Sequence, residues 1–135
     1  MDPKQKLDEF LSETRMFFLA SVNEEGHPKC RPLGFHMLKD GEVYFGVGDF
    51  KDVYRQIVAN PYVEIVASTA DHFIRYYGKV VFEETYDLAA AVIAGNEFLQ
   101  GIYNEKTGYK MAVFHLEEAT FEYRSMMGVE ESYSW

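Results

Sequence analysis

Short runs of strand-forming residues recur along this chain, and turn residues lie between them. Residues 17–22 read FFLASV, an apolar run typical of a buried strand. The pair Asp40-Gly41 is a strong signal for a tight hairpin between the two runs that flank it. Strands at hairpin spacing predict an antiparallel sheet, and closing that sheet into a small barrel removes its exposed edges. We therefore expect a mainly β (α+β) fold of six to seven antiparallel strands, with a few short peripheral helices.

The same patterns place the individual elements. Asp2 as N-cap and Pro3 at the first helical position begin a helix, and Leu7, Phe10 and Leu11 give it an apolar face. We expect strands at 17–22, 29–38, 42–47, 62–68, 73–83, 111–116 and 120–126. Four helical segments are expected. They cover 3–14, the residues that follow a cap at position 49 up to position 59, 86–94 and, as a short turn, 97–103.

Three further positions shape these expectations. Asp49 is suited to cap the second helix, and Asn60-Pro61 ends it. Gly78, in the middle of a strand, predicts a bulge or a bend of the kind that barrels use at corners.

The chain of 135 residues is long enough for one core, so we expect a single domain over 1–135. Its C-terminal tail, about 127–135, either reaches a partner subunit or frays.

The charge and the cysteine content exclude several classes of function. The formal net charge is -9, so the chain is unsuited to nucleic acid or to an anionic membrane surface. One cysteine excludes an internal disulfide and a thiolate cluster, and the four histidines have no metal-ligand spacing, so we expect no metal. No run is fit for a signal peptide or a membrane span, which favours a soluble cytoplasmic protein.

The stretch 29–52, KCRPLGFHMLKDGEVYFGVGDFKD, departs from an ordinary hairpin. Pro32 cannot donate a ladder hydrogen bond, so its strand must be an edge or be lifted from its neighbour. Gly34, two residues on, leaves a gap where a side chain would be. Together they expose main-chain polar groups over a hollow that suits a flat heteroaromatic ring.

The far end of the same hairpin has features that suit an anion. Gly46 and Gly48 lie beside a helix N-terminus, where amide N–H groups and the helix dipole attract negative charge. Lys51 in the first turn supplies a full positive charge, and Arg31 can reach the same region. A ring at one end and a phosphate at the other is the pattern expected for flavin mononucleotide (FMN).

The ordered motifs resemble one known family. The chain contains G-x-P-x-x-R-P-x-G, then D-G-x-x-Y-F, then Lys51 with V-Y-x-Q, then Asn60-Pro61 with V-E-I, and later F-I-R-Y-Y-G-K-V-V-F. This order is similar to the pyridoxamine 5'-phosphate oxidase-like FMN-binding split-barrel family. The similarity is greatest to its small, single-domain, nitroimidazole-reductase-like bacterial members. The resemblance covers nearly the whole chain, from Leu7 to Met126.

The resemblance implies a split barrel, an FMN cofactor and a homodimer with the flavin at the subunit interface. It implies that the isoalloxazine lies against Arg31, Pro32, Leu33 and Gly34, and that Gly46, Val47 and Gly48 approach the ribityl-phosphate. Lys51, Tyr54 and Gln56 would complete the pocket, and Phe73 and Arg75 of the partner's strand would close it. Many relatives have Thr or Ser followed by Asn where this sequence has Val47-Gly48. The phosphate would then depend on main-chain amides and Lys51.

Three hypotheses follow for the function. The first is an FMN-dependent oxidoreductase acting on an unidentified small molecule, in which the flavin carries the chemistry and no side chain is assigned as catalytic. The second is a non-catalytic split-barrel module that binds FMN, haem or another planar ligand. The third is a structural dimer whose pocket is degenerate.

Overall fold

The computed structural model describes residues 2–135, in which strands and helices alternate. The helices are α1 (Pro3–Thr14), α2 (Asp52–Ala59), α3 (Asp87–Ala94) and α4 (Glu97–Ile102). The strands are β1 (Phe17–Val22), β2 (Pro28–Leu33), β3 (His36–Lys39), β4 (Glu42–Gly48), β5 (Tyr62–Ser68), β6 (His72–Phe82), β7 (Met111–Ser125) and β8 (Gly128–Ser134). The described residues thus contain eight strands, where six to seven were expected.

All eight strands join one antiparallel sheet: seven lie in the order β2-β1-β5-β6-β7-β4-β3, and β8 lies off this path and pairs with β7. The long strand β7 pairs with β6 on one side, and on its other side it pairs with β4 near its start and with β8 near its end. The sheet curls into a half-barrel whose two end strands, β2 and β3, are joined only by residues 34–35. The predicted mainly β, antiparallel barrel with short helices is therefore confirmed.

The core fills the concave side of this sheet. Strand β4 alternates, so that Val43, Phe45 and Val47 are buried while the residues between them face away. The Phe45 ring packs against Phe17 and Phe114, with ring centroids 5.6 and 5.7 Å apart. Each such aromatic side chain contributes roughly 1.5–3 kcal/mol through burial of apolar surface.

One helix covers the open side of the core. The helix α1 begins where Asp2 and Pro3 predicted it, and the Gln5 side chain accepts the Asp2 N–H at 3.3 Å. Its apolar stripe includes Leu7 and Leu11, both fully buried. The sequence-based bounds of α1, β1 and β5 agree with the structure.

The predicted strand 29–38 is wrong, because the structure divides it in two. Strand β2 pairs with β1, whereas β3 forms the Asp40-Gly41 hairpin with β4. The chain crosses from one end of the sheet to the other at Gly34. Since β2 pairs only with β1, it is an edge strand, which is the environment that Pro32 requires.

The two closing strands predicted at 111–116 and 120–126 form one continuous strand, β7. Its pairing with β6 shifts register opposite Gly78, and Glu118 there adopts a positive φ of 50°. A Cβ at Gly78 would lie 2.8 Å from the Glu117 carbonyl oxygen and 2.9 Å from the Ala119 Cα. The predicted bulge at Gly78 is confirmed, and glycine is required because the β7 main chain approaches so closely.

The C-terminal tail does not fray but pairs with the sheet, and its contact with a partner subunit stays a prediction. Residues 128–134 form β8, and Trp135 continues the pairing by exchanging main-chain hydrogen bonds with Ala119 at 2.8 and 3.0 Å. The Trp135 ring packs against Tyr76, with centroids 5.7 Å apart. An ion pair between Lys6 and Glu131 joins β8 to α1. These contacts account for the eighth strand.

Two further observations concern membrane-spanning helices and metal sites. Across residues 2–135, no helix combines the length and the apolar character that crossing a membrane requires. The same residues contain no cluster of three His, Cys, Asp or Glu side chains arranged to hold a metal ion. The cytoplasmic location stays a prediction.

Candidate functional site

A cavity of about 430 Å³ opens where the two ends of the half-barrel part. It lies between the edge strand β2, the glycine-containing end of β4, the start of α2, and α4. Eight of the residues predicted for the site line it: Arg31, Pro32, Leu33, Gly34, Gly46, Val47, Gly48 and Lys51. Phe35, Val53, Asn96, Phe98, Leu99, Ile102 and Tyr103 complete the lining. The structure therefore brings the two ends of the predicted hairpin site to one cavity.

The charge of this cavity is opposite to the charge of the chain. Arg31 and Lys51 are its charged lining residues, and no carboxylate lines it in the described chain. The chain as a whole has a formal net charge of -9. Two cations without a carboxylate partner make the cavity a local region of positive potential. An anionic ligand is favoured there.

Arg31 is held in place by three acceptors outside the cavity. Its Nη1 donates to the Ser21 hydroxyl at 2.7 Å and to the Leu19 carbonyl at 3.3 Å, and its Nη2 donates to Gln56 Oε1 at 2.8 Å. These bonds use three of the five guanidinium hydrogens, which leaves one on Nη2 and one on Nε for a ligand. Partial burial lowers the pKa of Arg31, but an arginine in a protein stays protonated at neutral pH.

Lys51 lies one residue before the helix rather than inside its first turn. It is the N-cap of α2, and its ammonium lies 5.8 Å from the centre of the Phe50 ring. Within residues 2–135 no carboxylate forms an ion pair with Lys51; the nearby Asp52 pairs with Arg55 instead. The first-turn amides of a helix lack partners within the helix, so this end of α2 adds N–H donors beside the lysine.

The prediction that Asp49 caps α2 is wrong. The Asp49 carboxylate accepts the Lys110 N–H at 3.0 Å, and the Asp49 N–H donates to the Lys110 carbonyl at 2.9 Å. Asp49 therefore fastens the loop before β7 to the segment that leads into α2. This contact spans sixty-one residues, so local turn chemistry could not predict it.

The glycines of β4 are part of the sheet rather than of a loose loop. Gly46 pairs with Val113 and Gly48 with Met111. Side chains lie over both glycines: a Cβ at Gly46 would lie 3.0 Å from the Met111 sulfur, and one at Gly48 would lie 2.6 Å from the Phe50 ring. The glycines thus make room for Met111 and Phe50, and at Gly48 also for the Tyr103 hydroxyl, whose residue lines the cavity.

Gly34 and Val47 differ from these two glycines. A Cβ at Gly34 would have no atom within 4 Å, so the space beside it is open. The Val47 side chain is 4% exposed and packs in the core, although Val47 also lines the cavity.

The structure does not bring four of the predicted residues to the cavity. The Tyr54 ring packs against Phe82, with centroids 5.4 Å apart. Gln56 binds Arg31 and Ser21 and is a positioning residue. On the outer face of the sheet, Arg75 forms an ion pair with Glu64 at 2.9 Å, and Phe73 lies beneath Arg124. Phe73 and Arg75 were predicted to act on the cavity of a partner subunit, and that role stays a prediction.

Sequence reasoning missed the wall that α4 contributes. Phe98, Leu99 and Ile102 lie on this short helix, and Tyr103 follows it. Burial, with a further contribution from Asp49, raises the pKa of Tyr103, so its hydroxyl stays protonated at neutral pH. The signal available in the sequence was the apolar spacing of 98, 99 and 102, which indicates a helix face that packs against something. It does not say which cavity that face covers.

Comparison with known proteins agrees with this geometry. Residues 3–125 match the model of the family described as pyridoxamine 5'-phosphate oxidase, so the chain belongs to that family, and the resemblance seen in the sequence is confirmed. The sequence matches no curated protein at a significant level.

Several solved structures share the fold. A NimC/NimA family protein from Clostridium acetobutylicum is 25% identical with a TM-score of 0.84, covering 100% of this chain and 95% of that one. A pyridoxamine 5'-phosphate oxidase-related, FMN-binding protein from Nostoc punctiforme is 16% identical with a TM-score of 0.67, covering 98% and 89%. A heme-binding protein from Mycobacterium smegmatis is 17% identical with a TM-score of 0.68, covering 99% and 59%. At 16–17% identity the last two similarities concern the fold alone.

Proposed function

We propose that this protein binds FMN in the cavity between β2, β4, α2 and α4, and that it is an FMN-dependent oxidoreductase acting on a small molecule. The observation that carries the proposal is the charge of the cavity: Arg31 and Lys51 line it and no carboxylate of the described residues does, in a chain of net charge -9. A phosphorylated ligand supplies the negative charge that this arrangement favours. The FMN-binding relative from Nostoc punctiforme, which shares the fold, is consistent with this choice.

The remaining lining residues suit a planar ring. The cavity volume of about 430 Å³ falls within the usual range for small-molecule sites, roughly 300–1,000 Å³. Leu33, Val53 and Leu99 offer apolar surface, and the space beside Gly34 is open to a flat group. Main-chain groups at the edge of β2 are available to the polar rim of a heteroaromatic ring, since this side of β2 has no neighbouring strand.

The lining residues indicate separate roles for the bound cofactor and for the protein. Bound FMN would supply hydride or electron transfer, which no side chain of the protein provides. Lys51 and the start of α2 would hold an anionic group, while Arg31, fixed by Gln56 and Ser21, would present its two remaining N–H groups. Tyr103 is the one further ionisable side chain in the lining of the described chain, and it stays protonated. We therefore assign no general base.

Haem is the less favoured ligand. Haem iron is usually held by His, Cys or Met, and none of these residues lines the cavity within residues 2–135. Tyr103 is the one lining residue of the described chain with a side chain of a type known to bind haem iron. A non-catalytic haem-binding module therefore has less support from this cavity than a flavoprotein has.

We also propose a homodimer in which each cavity is completed by Phe73 and Arg75 of the other subunit. The support is the outer face of the sheet, where β1 and β5 present Phe18 and Tyr62 to solvent, 46% and 60% exposed. Exposed aromatic side chains of this kind are typical of subunit interfaces. A two-fold dimer would contain two equivalent cofactor cavities.

Titration of the protein with FMN tests the proposal, and the quenching of flavin fluorescence measures the binding. We expect saturable binding of one FMN per chain. Lys51→Ala and Arg31→Ala should each weaken binding by roughly 10- to 100-fold, because each removes a charge-assisted contact of about 1.5–3 kcal/mol. The matched control is Lys29→Ala, which removes the same charge from β2 at an exposed residue outside the cavity lining. It should leave the affinity unchanged.

Two results would contradict the proposal. The placement of the site is wrong if both cavity variants bind FMN as tightly as the Lys29→Ala control. The oxidoreductase class is wrong if the FMN-loaded protein is neither reduced by a nicotinamide donor nor reoxidised by any small-molecule acceptor. A haem spectrum in place of a flavin spectrum would favour the alternative ligand.

A further inference from the structure

A second cavity of about 370 Å³ lies between α3 and the segment 103–111. Its lining is mostly apolar, with three aromatic rings, those of Tyr86, Tyr103 and Tyr109. Ala90 and Ile93 of α3 and Met111 at the start of β7 supply aliphatic and thioether surface. A cavity of this size and character lies in the usual range for a small-molecule site.

The second cavity shares a wall with the candidate cofactor cavity. Tyr103 lines both cavities. Its hydroxyl would lie 3.0 Å from a Cβ at Gly48, and the Met111 sulfur would lie 3.0 Å from a Cβ at Gly46. Gly46 and Gly48 line the first cavity, so the absence of their side chains is what lets Tyr103 and Met111 form the partition between the two spaces.

The floor of the second cavity is fixed to the cofactor side of the fold. Asp49 exchanges two hydrogen bonds with the main chain of Lys110, and the Phe50 ring stacks on Tyr109 with centroids 3.9 Å apart. The segment 49–50 directly precedes Lys51. These contacts join the aromatic wall of the second cavity to the segment that leads to Lys51.

The lining indicates the chemistry of the ligand. Aromatic rings on several sides favour a planar aromatic molecule, and a methionine sulfur makes favourable contacts with such a ring. At the rim, the Lys110 ammonium lies 4.8 Å from the centre of the Tyr86 ring, where it can donate to an oxygen of the ligand. Glu105 also lines the cavity and offsets this charge, which favours a neutral ligand over an anion.

We propose that this cavity binds a neutral one- or two-ring aromatic molecule that carries an electron-rich oxygen, such as a phenol or an aromatic carbonyl. The partition formed by Tyr103 and Met111 places that molecule beside the cofactor cavity. That the bound aromatic is the substrate rests on the proposed function, whereas the binding itself does not.

The test uses 2-naphthol as the probe and the anisotropy of its fluorescence as the measurement. We expect saturable binding of one molecule per chain. Ala90→Phe places a ring in the cavity and should weaken binding by at least about tenfold. Ala91→Phe adds the same ring at the next residue of α3, which is exposed and does not line the cavity, and it should leave binding unchanged. If the far-UV circular dichroism of Ala90→Phe is not native, the smaller Ala90→Leu replaces it.

Three results would overturn the inference: no saturable binding by the native chain, equal affinity in the Ala90→Phe and Ala91→Phe variants, or displacement of 2-naphthol by FMN. Failure of the cofactor proposal has a different signature. In that case FMN fails to bind, or binds independently of Lys51, while the Ala90→Phe variant still loses 2-naphthol. Lys51→Ala should weaken FMN binding and leave 2-naphthol binding unchanged.

Discussion

At the scale of single residues, the site depends on how one arginine is held. Arg31 lies on β2, Ser21 on β1 and Gln56 on α2, and the three side chains form one hydrogen-bonded group. Gln56 Oε1 accepts from both partners, so its carbonyl orients the guanidinium without neutralising it. An uncharged acceptor at this position preserves the positive charge that faces the cavity.

A charge-matched pair of variants tests this account of Gln56. Gln56→Glu keeps the acceptor but pairs Arg31 with a carboxylate, so we expect FMN affinity to fall by about tenfold while stability is retained or raised. Gln5→Glu adds the same charge on α1 at an exposed residue outside the cavity lining, and it keeps the acceptor for the Asp2 N–H. Calorimetric titration with FMN measures both. Equal affinities in the two variants would mean that the charge of Arg31 is not used for binding.

Part of the site could be predicted at this scale. Local sequence rules predict an edge strand at Pro32, a gap beside the main chain at Gly34 and a helix start at Lys51. All three residues line one cavity. The role of Gln56 could not be predicted in the same way, because its contact with Arg31 joins residues twenty-five positions apart. The family resemblance implied a place for Gln56 in the pocket, whereas the structure places it behind Arg31, outside the cavity lining.

At the scale of secondary-structure elements, the shifted pairing of β6 with β7 depends on Gly78. A Cβ there would meet main-chain atoms of Glu117 and Ala119 at 2.8 and 2.9 Å, and main chain cannot move as a flexible side chain can. The register shift falls between the part of β7 that pairs with β4 and the part that pairs with β8.

Gly78→Ala should therefore destabilise the protein by roughly 1–3 kcal/mol through overpacking. The control is Gly101→Ala in α4, where a Cβ would have no neighbour within 4 Å. Alanine is favoured over glycine inside a helix by about 0.5–1 kcal/mol, so this variant should be neutral or stabilised. Urea unfolding measures both free energies. A Gly78→Ala variant as stable as the native chain would show that β7 can shift away from β6.

Elements with local signals were predicted correctly, and those fixed by distant partners were not. The Asp40-Gly41 hairpin follows from turn chemistry, and both residues have positive φ, at 50° and 78°. The break at Gly34 has no comparable local signal, because alternation runs through it unchanged. The strand β8 reads as a polar, glutamate-rich tail, and only its pairing with β7 makes it a strand.

At the scale of the whole molecule, the distribution of charge and of exposed aromatic groups defines the function that we propose. An acidic chain keeps two cations in one cavity that no carboxylate of residues 2–135 lines, and its outer sheet face presents Phe18 and Tyr62. The first feature supports our proposal of an anionic cofactor, and the second supports our proposal of a partner subunit. The net charge could be counted from the sequence, but the place of the unpaired cations required the fold.

A crystal structure determined from crystals grown with FMN tests the central claim most directly. We predict flavin density in the cavity beside Gly34, with the phosphate within hydrogen-bond distance of Lys51 and with Phe73 and Arg75 of a symmetry-related subunit closing the site. Density for FMN elsewhere, or a cavity filled by the side chains of α4 at saturating FMN, would contradict the account.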